Sequence, residues 1–165
     1  MLETIFARRS IRKYTGEPVA EEQIKQLLEA AMAAPSANNS RPWHFVVVQD
    51  REQLRRLAEA HPYGGMQAQA AMSVAVCADP SRSPHYWVQD CSAATQNLLL
   101  AATALGLGSV WLGVYPYRPY AAALREILGV PEGYEILCLV AIGHPAETKP
   151  PRTQYDPARV HRDRW

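Results

Sequence analysis

The sequence predicts an α+β fold, a central β-sheet wrapped by helices, and three observations carry that expectation. Short apolar runs of strand length alternate with longer runs of helical period. Their spacings are unequal, unlike a regular series of βαβ units. The longest helical run is apolar on nearly every side. The 165 residues are expected to form one domain, 1–165, large enough to bury a core without covalent staples.

The elements follow in order. Arg8-Arg9-Ser10-Ile11-Arg12-Lys13-Tyr14 reads as early helical turns, with Arg8 and Arg12 one turn apart on one face and Ser10 between them. From Glu21 to Ala34, Ile24, Leu27, Leu28 and Ala31 recur at helical spacing, and Pro35 stops the run. Phe45 to Val48 is a short buried strand. Asp50 and Gln53 form a capping-box pattern that opens a helix with Leu54 and Leu57 inward. Pro62 to Gly65 is a loop. Val74 to Ala78 is a second buried strand, and 81–85 a loop. Val88 to Leu105 makes the longest helix, buried most of the way round by its own core or by a partner. Gly106 and Gly108 end it, Val110 to Val114 forms a third strand, Tyr120 to Leu128 a short amphipathic helix, and Ile136 to Ile142 a fourth strand. From Gly143 onward prolines and charges dominate; that tail lacks a core face and should lie across another surface.

Composition excludes several classes. A net charge of +1 gives no bias toward nucleic acid or membranes, so any anion site must come from local clustering. Cys77, Cys91 and Cys138 are far apart, lack CxxC spacing and are odd in number, which points to a reduced, cytoplasmic setting. Met1 to Ser10 lacks the apolar core of a secretory signal. Leu98 to Leu107 is too short to span a bilayer. His44, His61, His85, His144 and His161 show no metal-ligand spacing and read as surface or capping residues; no metal is expected. No serine lies in GxSxG and no cysteine has an evident base, so a cofactor must carry any chemistry.

Three segments supply candidates for holding one. Four cations surround Ser10 in the first, and a phosphate monoester needs such cations or oriented amides. Pro35 to Trp43 offers Ser36, Asn38, Asn39 and Ser40 between prolines, and Lys149 and Arg152 add charge near the end. The duller readings are a solvated basic helix face and a plain helix-to-strand connection. Glycines 106, 108 and 113 fail the dinucleotide fingerprint, because Trp111 takes the third-glycine place and the order is helix, glycines, strand. Gly113 could still let a flat ligand approach the backbone. Tyr115, Tyr117 and Tyr120 could wall a cleft beside it. The pattern suits a phosphorylated, planar ligand with polar edges, of which flavin mononucleotide (FMN) is the expected case.

The chain resembles the nitroreductase family of FMN-dependent oxidoreductases over nearly its whole length. The resemblance rests on RRSIRKY (8–14), PSANNSRPWHF (35–45), the run 90–116, AIGHPAE (141–147) and KPPR (149–152), in the family's order. It implies an interlocked homodimer with two FMN sites at the interface, burying over ~2,000 Å². It implies that Arg8, Arg9, Ser10 and Arg12 hold phosphate, ribityl and pyrimidine edge, and that Pro35, Ser36, Ala37 and Asn39 come from the partner. Trp111, Leu112 and Gly113 would cover one flavin face, with the Gly113 N–H near N5, while Lys149 and Arg152 close on the phosphate. Two departures stand out: no lysine occurs around Tyr63 to Gln67, where many members have one, and the chain lacks the extra helices of longer members. The implied activity moves electrons from NADH or NADPH through flavin N5 to a nitroaromatic, quinone or similar electrophile, in ping-pong fashion. The alternatives are a flavin sensor or carrier without turnover, or the same fold running dehalogenation, enone reduction or flavin fragmentation.

Overall fold

A computed structural model describes residues 1–116 and 119–165. Tyr117, one of the three expected cleft tyrosines, lies outside the described residues. The elements are α1 (Leu2–Ala7), α2 (Glu21–Met32), β1 (Trp43–Val48), α3 (Arg51–Ala60), β2 (Met72–Ala78), α4 (Trp87–Ala104), β3 (Gly108–Gly113), α5 (Ala121–Leu128) and β4 (Glu135–Gly143). The four strands form one antiparallel sheet in the order β1-β2-β4-β3. The α+β expectation holds.

Helices cover both faces. Alternation along β2 sends Met72, Val74 and Val76 toward one core with α2 and α4, and Ala75 and Cys77 toward another with α3 and α5. Every residue of β2 is therefore buried, which explains its unbroken apolar run. Against β2, β4 slips by one residue: Val76 faces Cys138 but Cys77 faces Ile136. Leu137 is thus the extra residue of a bulge, and its carbonyl accepts the N–H groups of both Val114 (3.0 Å) and Tyr115 (3.1 Å).

Several boundaries differ from the sequence reading. Strand β3 begins at Gly108 rather than Val110, because Gly108 already pairs with Gly143 of β4; a Cβ at 108 would meet the Ile11 side chain at 2.7 Å, so glycine admits that neighbour. Asp50 does cap α3, accepting from the Gln53 N–H at 2.9 Å. In α4 Trp87, Cys91, Ala94, Leu98 and Ala102 are buried, while Gln89, Gln96 and Ala104 lie along a more exposed stripe. Residues 151–165 are exposed throughout, as a tail without a core face should be.

The main correction concerns 8–14. Helix α1 ends at Ala7, Arg8 is extended (φ −59°, ψ 120°), and Ser10 bridges Ser109 in parallel fashion. Arg8 and Arg12 therefore do not share a helix face. The cause is tertiary: the Ile11 N–H donates to the Ser109 carbonyl at 2.9 Å, the Tyr14 hydroxyl donates to Ile11 and Ala141 carbonyls, and Ile11 seats on Gly108. The segment covers part of the outer edge of β3.

Candidate functional site

Because Ser10 and Ile11 run alongside Ser109, Arg8 and Arg12 are separated along the β3 edge rather than stacked on one helix face. They open into two different clefts. The first, about 610 Å³, is lined by Arg8, Arg152, Ile5, Phe6 and Gln96. Arg152 is brought there by its own N–H, which donates to the Phe6 carbonyl at 3.1 Å. Burial, then the guanidiniums of Arg152 and Arg9, hold Arg8 below its ordinary basicity. No ion pair among the described residues involves Arg8, Arg9, Arg12 or Arg152. Like charges gathered without a counter-charge make a place for an anion.

The second cleft, about 680 Å³, is lined by Arg12, Trp111, Leu112 and Gly113, with His61 and Tyr120 behind. A Cβ at Gly113 would meet no atom within 4 Å, so the backbone there faces open space. In an antiparallel ladder the paired and unpaired positions alternate. The Val114 N–H reaches Leu137, which turns the backbone groups of Ser109, Trp111 and Gly113 outward, away from β4. The bond from Ile11 to Ser109 fits the same alternation. Gly113 thus presents its N–H on the outer edge, beside the cleft.

Pro35, Ser36, Ala37 and Asn39 line neither cleft. Their loop is held in an unusual shape: Asn38, Asn39 and Arg41 all have positive φ (52°, 53° and 46°). Strain of this kind persists only where surroundings enforce it. Here Asp90, on the first turn of α4, accepts from the Ala37 N–H (2.9 Å) and the hydroxyls of Ser83 (2.7 Å) and Ser40 (3.4 Å). Ser36 Oγ accepts the Arg41 N–H at 2.9 Å.

Lys149 takes a different post from Arg152. Its amine donates to the Ser10 carbonyl at 2.6 Å and pairs with Glu147 at 3.4 Å, while Glu147 accepts the Arg12 N–H at 2.6 Å. Arg9 donates to the Pro150 carbonyl. These bonds strap the tail to the 9–12 segment. The Arg12 N–H bond, chiefly, holds the Glu147 carboxyl below the usual range.

Sequence reasoning missed Asp90 and misjudged His61. Far from a surface histidine, His61 is 3% exposed and its Nε2 lies 2.9 Å from the Gly113 carbonyl. A signal was present in His61-Pro62-Tyr63-Gly64: a Cβ at Gly64 would come within 2.8 Å of the His61 Cβ, so the glycine marks a chain folded tightly beneath that ring. Burial raises all three thiols, Cys77 and Cys91 to about 12, which removes them as nucleophiles at neutral pH. Among the described residues no cluster could hold a metal, and no helix is long and apolar enough to cross a membrane.

A sequence profile of the nitroreductase family matches residues 5–76 and 61–144. The chain is 48% identical to a protein of Archaeoglobus fulgidus named as an NADH dehydrogenase/NAD(P)H nitroreductase, covering 99% of this chain and 98% of that one. Its structure is similar to that of an FMN-dependent nitroreductase from Clostridium difficile (TM-score 0.94, 33% identity, all of both chains). It is also similar to the NADPH:FMN oxidoreductase of Vibrio harveyi complexed with NAD+ (TM-score 0.87, 30% identity, 99% of this chain and 77% of that one).

Proposed function

Because the chain belongs to the nitroreductase family of NAD(P)H-dependent oxidoreductases, we propose that it binds FMN along the edge of β3 and reduces a small electrophile with electrons from NADH or NADPH. One observation carries this reading: a single extended segment joins an anion-seeking cleft at Arg8 to an open backbone cleft at Gly113. That separation suits a ligand with a phosphate at one end and a flat ring at the other. Bound there, FMN would supply the hydride and electron transfer from NADH or NADPH to a nitroaromatic, quinone or related acceptor.

The chain's own residues divide the work. Arg8 and Arg152, with Arg9 beside them, neutralise the phosphate. Ser10 and Arg12 serve the ribityl and pyrimidine side, where Arg12 supplies the positive charge that a lysine provides in many members. Trp111, Leu112 and Gly113 form the floor under the ring, and the Gly113 N–H is available to N5. Pro35, Ser36, Ala37 and Asn39 line neither cleft of their own chain, which supports a partner subunit lending them across a homodimer interface. The exposed stripe of α4 and the exposed Leu2 (66%), Ile5 (43%) and Met32 (51%) provide surface for that partner. Lys149 contributes at one remove, through the Ser10 carbonyl.

Two substitutions test this division. A charge-assisted contact is worth ~1.5–3 kcal/mol, or roughly 10- to 100-fold in an equilibrium constant. Arg8→Ala should weaken FMN binding by that factor with little change in the reduction rate of enzyme saturated with FMN. Arg12→Ala should slow reduction more than it weakens binding. Fluorescence titration with FMN and anaerobic stopped-flow with NADH and NADPH measure both; equal effects from the two variants would refute the assignment.

A further inference from the structure

The carbonyl of Gly113 receives two side-chain donors that the flavin roles above leave unexplained. His61 Nε2 lies 2.9 Å from it and the Tyr120 hydroxyl 3.1 Å. The Tyr63 N–H donates to His61 Nδ1 at 3.2 Å, so Nδ1 is the acceptor nitrogen and the proton sits on Nε2, aimed at Gly113. The two rings meet edge to face, centroids 4.8 Å apart, and each braces the other. Both line the Gly113 cleft.

We propose that His61 and Tyr120 are positioning residues, a two-donor clamp on the Gly113 carbonyl that fixes how the Gly113 N–H is offered to the flavin. The proposal rests on the flavin reading above. In an extended residue the N–H and C=O point the same way, and at Gly113 both point off the outer edge of β3, beyond the support of β4. Glycine is the residue least able to hold its own dihedrals there, and the strand ends at this position. Two donors on one carbonyl supply the missing restraint. The glycine keeps the approach open while the clamp removes its freedom.

The clamp has a redox consequence. The Gly113 N–H can donate to N5 of oxidised flavin, but once N5 carries its own hydrogen that N–H loses its acceptor. A firmly held N–H therefore favours the oxidised form, and releasing it raises the midpoint potential.

The test is made on the full-length protein with FMN, by fluorescence titration and anaerobic spectroelectrochemistry. His61→Phe keeps the ring and removes the donor; it should weaken binding of oxidised FMN about tenfold more than reduced FMN, which corresponds to about 30 mV of positive shift. His61→Gln keeps an N–H near the position of Nε2 and should restore most of the difference. Tyr120→Phe, at the cleft wall, should shift the potential the same way by less, and remains informative if His61→Phe does not fold. The double variant should exceed the sum of the singles, because each donor covers for the other. Wild-type potentials in Tyr120→Phe and in every folded His61 variant would overturn the clamp while leaving the flavin site standing. A wild-type protein that takes up no FMN would overturn the flavin reading itself, and the clamp's role with it.

Discussion

Asp90 shows how much of a site can depend on a side chain that touches no ligand. It is 5% exposed, and a buried carboxylate is tolerated only where hydrogen bonds replace its water. Ala37, Ser40 and Ser83 provide them, and in return the loop keeps three left-handed residues in place. Asp90→Asn swaps one acceptor oxygen for a donor that faces hydroxyls already oriented to give. It should cost about 1–3 kcal/mol of stability and weaken FMN binding severalfold, read by thermal melts and by flavin titration of the same samples. A destabilised variant with wild-type affinity would separate the loop from the ligand. Nothing local in the sequence marks Asp90: its partner loop lies some 50 positions away, and inside an apolar helix it looks like one polar neighbour among several. His61 was obscured for the same reason, since its acceptor Gly113 is 52 positions distant.

Helices α2, α3 and α5 were legible from their periodicity and the four strands from their apolar runs, although β1, expected to be buried, has only its end residues Trp43 and Val48 buried. The 8–14 segment was not, because arginines and lysine satisfy helical and extended spacing equally. Only the contacts with Gly108 and Ser109 decide, and these are long-range. Once extended, the segment needs a second support, and the tail supplies it through Glu147 and Lys149. Glu147 has a depressed pKa, so its contribution is complete above the ordinary value of 4.5 and is lost as pH falls through the lower, folded value. Below about pH 4.5 the strap should loosen. Glu147→Gln should flatten the acid limb of a stability-versus-pH curve over that window, with little change at pH 7 beyond a small uniform loss. An identical acid limb in both proteins would show that the strap carries no linkage.

At the scale of the molecule, the family was readable from motif order, and the same resemblance implied a division of labour between two chains, with Pro35, Ser36, Ala37 and Asn39 lent by a partner; the single chain adds that this loop lines neither of its own clefts. That division leads to one more expectation: light scattering should give a mass near twice 18.4 kDa. Leu100→Glu, half-buried between Gln96 and Ala104 along the more exposed side of α4, should lower the mass and, on the shared-site reading, abolish FMN binding with it. A monomer that still binds FMN tightly would reject the shared site. The strand order adds a further consequence. The margin of β3 is sheltered by residues 10 and 11, but β1 is the last strand on its side and has no neighbour beyond it among the described residues. Bare backbone of that sort recruits other strands indiscriminately. Strand addition along β1 is therefore the expected route by which the folded protein aggregates at high concentration, read as a rise in thioflavin fluorescence.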